Sequence, residues 1–507
     1  MSRSAPASRP WSPAIGHWLK RWLYIGHRWL GIGSCVLFAM WFVSGLVMIY
    51  VPFPALTEGE RLAGLPMIDW GLVRVVPGQS LRAEGFESPP RVMVLEMRGA
   101  LPVWRVRNDS GGGERSISAL DGTLQLPPTE GQARGIAARF GRDAVIGVER
   151  IERDQWTVSG AFDRHRPLWK VRLAGADARS LYISGSTGAV VLDTVRTERF
   201  WNWLGSVPHW LYFTVVRQDN AVWRQVVMWV SGPCIVAGLT GFWIGILRTR
   251  FGRRRYRDGR MTPYRGWMLW HHCAGLIGGL FLLTWIFSGW LSVDPFRLFG
   301  GGGVTAQAEA RYEDARWASA PDIRRFGHVA RGAKQVELAW VRGRSVLEIR
   351  WDGRTRIVDA RTLAPFAPVI APAALVPGAP IVGTERLTAP DAYWYALDGL
   401  PKLPVVRVRF GDAGRTWVHI DPASGRVLGS VDARGRVYRW LFDLLHKWDL
   451  TVLTGNRPVW DVMLWALSFL GLVTSVSGIW LGWKRLRRPR RSPETRAGRD
   501  RAVGEEA

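Results

Sequence analysis

The chain has 507 residues, 47% of them apolar, with 30 Trp, three Cys and a formal charge of +26. So apolar a chain is not a disordered tail, and three Cys cannot build a disulfide framework. Many Trp beside a large positive charge fit a membrane protein with aromatic belts and basic edges, and not an ordinary cytosolic enzyme.

In chain order, residues 1–28 form a basic lead-in whose second half is amphipathic and interfacial. A first predicted span covers 29–50, and an outer region covers 51–220. The second span, 221–247, leads into an Arg-rich loop over 248–265. A third span follows over 266–293, a second outer region over 294–458, a fourth span over 459–483 and a basic tail over 484–507. The runs 29–50, 226–247, 267–293 and 462–483 contain no Asp, Glu, Lys or Arg. Each has the ~20 residues that a helix needs to cross the hydrocarbon.

Charge orients the spans. Residues 1–29, 248–265 and 484–507 together hold 22 basic and five acidic side chains. All three lie on one side if the spans cross in succession, and the positive-inside rule makes that side cytoplasmic. Both termini are then cytoplasmic and both outer regions face the opposite side. The same distribution argues against nucleic acid as a partner, because the bases sit at membrane edges and not on one folded module. Lipid is the expected neighbour.

The outer regions read as α+β. Strand material includes RVMVLEMR, LPVWRVRN, RSISALD and RSLYISGSTGAVVLD in the first, with a helix at TEGQARGIAARFG. The second offers KQVELAWVRG, RSVLEIRWDG, RTRIVDART, LPVVRVRFGD and RTWVHIDPASGRVLGSV.

The chain also repeats itself. A shift of 237 carries Asp154 onto Asp391, Pro167 onto Pro404, Trp203 onto Trp440, His209 onto His446 and Gly241 onto Gly478. A shift of 244 carries His27 onto His271, Gly31 onto Gly275 and Trp41 onto Trp285. The expected fold class is a mixed membrane protein: four transmembrane helices in two parallel duplicated halves, with two periplasmic α+β regions. Parallel repeats pack about an axis along the bilayer normal, bringing equivalent residues to one depth.

The repeat sorts four of the nine His into pairs. His27 and His271 open the odd-numbered spans, and His209 with His446 precede the even-numbered ones. Ionisable residues at membrane depth are costly and mark a task. Two neutral imidazoles from facing helices suit axial ligation of a b-type haem, with two haems expected. Zinc asks for four ligands, and copper favours sulfur ligands that are scarce beside these His. Gly31 and Gly275 stand one turn beyond their His and leave room for a flat ring; Arg28 and Lys447 are candidate cations for its carboxylates. His272 remains an alternative to His271, about 100° away around the helix. His17 reads as interfacial, and His165, His328 and His419 as surface or local structural residues.

Several motifs carry a family resemblance. GHRWLGIG (26–33), WHHCAGLIGG (270–279), the WFVSG and WIFSG endings, WNWLGSVPHWLY and YRWLFDLLHKWDL resemble the PepSY-associated transmembrane proteins of bacterial iron uptake, among them inner-membrane ferric-siderophore reductases. SLYISGSTGAVV and TWVHIDPASGRVL look like PepSY-type modules. The resemblance implies a di-haem oxidoreductase passing electrons from the cytoplasmic side to periplasmic ferric-siderophore iron. It matches His27 and His271 to the inner ligands and His209 and His446 to the outer ones. No dinucleotide fingerprint opens a βαβ unit, so the donor is a quinol or a separate reductase. Arg436, Arg439, Lys447 and Trp440 are the expected docking residues for an anionic ferric chelate. The alternatives are a non-enzymatic PepSY-type sensor or regulator, or a transporter built on the repeat.

Overall fold

The computed structural model describes residues 13–487 apart from 77, 84–85, 88, 108–112, 318–322 and 398–400. The far N-terminus and most of the basic tail therefore lie outside the described residues. The chain divides into a helical unit (1–46, 225–293, 457–507) and a sheet-bearing unit (47–224, 294–456).

The helical unit contains α1 (Pro13–Met48), α2 (Asn220–Arg248), α3 (Trp267–Ile277), α4 (Gly279–Leu291) and α5 (Arg457–Leu486). Three of these, α1, α2 and α5, are long and apolar enough to cross a membrane, and α3 with α4 makes a fourth if the bent pair is one span. Their outward faces stay apolar: Trp229, Val236 and Trp243 on α2, and Val462, Phe469 and Val476 on α5, are exposed. A helix that is apolar on its outer face as well as its inner one belongs in lipid.

Two elements take a form that the sequence reading did not specify. The lead-in is not separate from the first span, because residues 13–48 form one helix. The third span is not straight, because α3 and α4 meet at 63° around Gly278. Adjacent Gly278 and Gly279 lack the side chains that would resist a bend. Packing between the helices follows the repeat. Gly482 of α5 faces Ile32 of α1, and Gly245 of α2 faces Leu276 of α3. A small core of Phe38, Phe42, Cys234, Leu282 and Ile286 fills the unit.

Among the described residues, the sheet-bearing unit holds three antiparallel sheets. One is β4 (Val145–Ile151), β5 (Leu168–Leu173), β6 (Ser180–Ser184) and β7 (Val190–Thr194), in sequence order. Another is β11 (Ile381–Leu387), β12 (Val405–Phe410), β13 (Trp417–Ile420) and β14 (Val427–Val431), in the same order. Their irregularities coincide, with breaks of register at Tyr182/Ile183 and at His419/Ile420. Val171, Leu181 and Ile183 fill one core, and Val408, Val418 and Ile420 take the same places in the other.

What covers each sheet differs. The first is packed by helix Glu130–Gly141, which begins at a capping box on Thr129 and buries Ala133, Ile136, Ala137 and Phe140. Its counterpart segment carries Pro368, Pro372 and Pro377, which cannot continue a helix, and only the turn Pro372–Leu375 forms. Tyr312 and Leu375 fill that space instead.

The third sheet was not anticipated. Its order is β10 (Arg354–Asp359), β9 (Arg344–Trp351), β8 (Gln335–Val341), β1 (Val92–Arg98), β2 (Leu101–Arg107), β3 (Glu114–Ser118), so the two outer regions are separate in sequence but share one sheet. β1 meets β8 antiparallel, with Val94 opposite Glu337 and Glu96 opposite Gln335. The buried Glu96 carboxylate pairs with Arg61 at 2.9 Å and Arg105 at 3.2 Å. Burial alone pushes that carboxyl up, but Arg105 and Arg61 outweigh it and hold it below its ordinary range.

Candidate functional site

His27 on α1 and His271 on α3 face each other, their ring centres 6.4 Å apart and their planes at 37°. His27 Nδ1 lies 3.2 Å from the Ala237 carbonyl of α2. A carbonyl only accepts, so Nδ1 carries the proton and donates. Thr240 Oγ1, 3.5 Å from the same nitrogen, gives its own proton to the Val236 carbonyl at 2.7 Å and serves as an acceptor too. His271 repeats the arrangement on α5. Its Nδ1 donates to the Thr474 carbonyl at 3.0 Å and to Ser477 Oγ at 3.2 Å, while Ser477 donates to the Val473 carbonyl at 2.6 Å.

Two glycines let each ring rest on the neighbouring helix. A Cβ at Gly241 would stand 2.5 Å from His27 Cε1, and one at Gly478 would stand 3.2 Å from His271 Cε1. A side chain at Gly241 displaces the His27 imidazole, whereas one at Gly478 meets Cys35 Sγ before it crowds His271. With Nδ1 committed as a donor, the Nε2 lone pair of each ring is left for a metal. By contrast, a Cβ at Gly31 would meet His27 Cε1 at an ordinary 4.0 Å, so Gly31 is not the glycine the ring requires.

His272 is turned elsewhere. Its Nε2 lies 3.1 Å from Thr249 Oγ1 and its ring meets Tyr264 edge-on, with centres 5.1 Å apart. Of the two adjacent histidines, His271 is the one brought to His27.

The other pair belongs to the sheet-bearing unit. His209 ends the short helix Ser206–His209, and His446 lies in the turn Leu445–Lys447. Their ring centres are 6.1 Å apart, with planes at 67°. Two residues beyond each, the chain passes through a left-handed residue, Leu211 at φ 52° and Trp448 at φ 54°. The approaches differ. Helix Arg196–Leu204 stops at Gly205, whereas Ala433–Tyr438 continues through a π-helical turn, Arg439–Leu444, to His446. That turn stacks Phe442 on His446, centres 5.4 Å apart at 22°.

Both separations suit a shared metal. Two imidazoles that bind one ion from opposite sides, at about 2.0–2.1 Å each, would place their ring centres about 6 Å apart once the ring radii are added. Among the described residues no three or more His, Cys, Asp or Glu gather as a metal site. A pair falls short of a closed zinc site, which takes four protein ligands, and equals the requirement for axial ligation of a macrocycle. The donor set therefore fits haem.

The expected docking residues fare unequally. Arg439 is corrected: it is 6% exposed, pairs with the fully buried Asp449 at 2.8 Å and donates from Nε to the Ala392 carbonyl. A buried, neutralised guanidinium does not steer a ligand. Lys447 is corrected in part, since its charge is shared with Asp443 at 2.7 Å. Arg436 lies over Trp417 and stays half-buried, while Trp440 is exposed and donates to the Tyr393 hydroxyl at 2.9 Å.

Two other histidines are structural. His165 and His419 are buried, and each accepts a guanidinium proton at Nε2, from Arg164 at 3.1 Å and from Arg407 at 2.9 Å. Burial, helped by the adjacent arginines, pushes both down to about 4. His17 and His328 are exposed.

No known family model and no curated protein matches this chain. The roles of Thr240 and Ser477 went unread in the sequence. The recurrence of a hydroxyl residue before each of the paired glycines, 237 residues apart, was the available signal.

Proposed function

We propose that this chain is a di-haem reductase of the bacterial inner membrane, carrying electrons from a cytoplasmic-side donor to ferric iron in a periplasmic siderophore. In this reading two duplicated halves, each with a PepSY-like sheet, contribute one histidine to each haem b. The observation that carries it is the recurrence of one ring separation, 6.4 Å and 6.1 Å, in two histidine pairs related by the repeat.

His27 and His271 hold the inner cofactor, and His209 and His446 the outer one. Bound there, haem supplies one-electron redox chemistry; the protein supplies ligand geometry and burial. The Ala237 and Thr474 carbonyls fix the imidazole tautomers and raise ligand basicity. A haem held by two histidines would have no free position on its iron, the macrocycle supplying the other four nitrogens, so the reading assigns electron transfer and not oxygen chemistry. Iron(II) binds hard-oxygen chelators more weakly than iron(III), and reduction thereby releases it. The donor is a quinol or a separate reductase.

Detergent-purified protein is expected to show a reducible six-coordinate low-spin spectrum with two haem equivalents. Replacing His209 or His446 by Ala removes one equivalent, and replacing His27 or His271 removes the other. His272→Ala keeps both. Protein expressed with ample haem that purifies without it refutes the proposal.

A further inference from the structure

We propose that Arg217 binds a carboxylate of the cofactor held by His209 and His446, an inference that rests on the di-haem reading. Arg217 ends a short helix, Thr214–Arg217, eight residues after His209. Its guanidinium carbon lies 4.9 Å from the ring of Tyr212 and 4.8 Å from that of Trp223. Trp223 Nε1 donates to the Trp210 carbonyl at 2.8 Å, which ties this aromatic clamp to the residue next to His209. Trp210 and Tyr212 are themselves in ring contact at 5.3 Å, and Phe53 packs against both.

The clamp holds a cation that the protein does not neutralise. Arg217 Nε is buried with no hydrogen-bond acceptor, and among the described residues no carboxylate pairs with this side chain. The cations close to His446 in the chain differ: Arg439 has Asp449 at 2.8 Å and Lys447 has Asp443 at 2.7 Å. Arg199 donates to the Thr194 and Ala178 carbonyls. An orphaned buried guanidinium donor is costly unless an acceptor arrives. Aromatic faces fix its position but accept no N–H bond in the guanidinium plane. The missing partner is an oxyanion, and guanidinium geometry matches a carboxylate. Haem brings two carboxylates. The repeat position of Arg217 is Thr454, so only the first half supplies this cation.

The same chemistry is available from a lipid phosphate, and the test separates the two. Full-length protein, Arg217→Gln and Arg217→Lys are purified in detergent. Haem release to excess apomyoglobin is timed, and bound phosphorus per chain is measured. The Gln variant is expected to release one of two equivalents roughly tenfold faster or more, as for a lost hydrogen bond to a charged group. The Lys variant, which keeps the charge, is expected to fall between it and the parent, with unchanged spectra in all three. Equal release rates from parent and Gln variant overturn the assignment. So does a loss of bound phosphorus in the Gln variant with release unaltered, which gives the cation to lipid. A parent that binds no haem refutes the di-haem reading and this inference together, whereas unaltered release from a two-haem protein refutes this inference alone.

Discussion

The inner and outer histidine pairs reach almost the same ring separation on unlike scaffolds. The inner rings lie on helices of 36 and 11 residues, with each Nδ1 bonded to a carbonyl of another helix and each ring seated against a glycine. The outer rings lie on helical pieces of four and three residues, followed by left-handed turns and backed on one side by the Phe442 ring. The inner pair is positioned by helix packing. The outer pair depends on the turns around it and on buried ion pairs such as Arg439–Asp449. The inner site is thus exposed to steric change, and the outer one to loss of local stability.

The largest test of that contrast is steric. Gly241→Ala drives a methyl into the space of the His27 ring, and we expect loss of the inner haem equivalent with the outer one retained. Gly232→Ala, where nothing lies within 4 Å, keeps both. Haem content per chain and the reduced spectrum read the outcome, and an unchanged Gly241→Ala spectrum removes the helix-seat account.

Next in size is the buried ion pair. Arg439→Ala strands the Asp449 carboxylate, which is 0% exposed, and is expected to cost about 3–5 kcal/mol in the sheet-bearing unit. Urea unfolding should show it, together with preferential loss of the outer equivalent. Loss of the inner equivalent first breaks the comparison.

A smaller effect comes from pH. His165 and His419 stay neutral in the fold down to about 4, against an ordinary 6.5, so between those values the unfolded chain binds more protons. Their contribution to stability is full above about pH 6.5 and is lost as pH falls toward 4. The urea midpoint of the sheet-bearing unit should drop between about pH 7.5 and about pH 5, and His165→Gln/His419→Gln should flatten the drop. An identical slope in parent and double variant excludes these two histidines as its cause.

The smallest effect concerns surface charge. Arg436→Gln is expected to slow oxidation of the dithionite-reduced protein by an anionic ferric chelate, by a few-fold at low salt and less at high salt. Arg439→Lys, with the charge buried and paired, should leave that salt dependence unchanged. Equal salt dependence in parent and Arg436→Gln removes Arg436 from the docking surface.

The two halves also show how repeat positions are reused. Asp154 takes a proton from Lys170 at 2.9 Å and from the Tyr182 hydroxyl at 2.7 Å. At the same positions Asp391 pairs with Arg407 at 2.6 Å, and His419 accepts from Arg407. One half-buried acid braces each sheet while its partners have changed.

Sequence alone determined the apolar runs, the basic stretches that flank them, and the pairing of His27 with His271 and His209 with His446. These are legible because burial in lipid demands long uncharged stretches, and because duplication leaves rare residues at fixed shifts. Strands such as β1, β6, β8 and β9 were legible for a similar reason, since they are mostly buried and their side chains carry the pattern. The edge strands β4 and β11 were not: they are largely exposed and charged, and their ladders to β5 and β12 are held by backbone groups that carry no sequence signal. Tertiary structure alone decided that β1 pairs with β8, that α3 and α4 meet at a bend, that His272 turns to Thr249 and Tyr264, and that Arg439 is buried. The first depends on groups that meet across more than 200 residues, and the others on how helices bend, rotate and pack. Local propensity and residue spacing do not encode either.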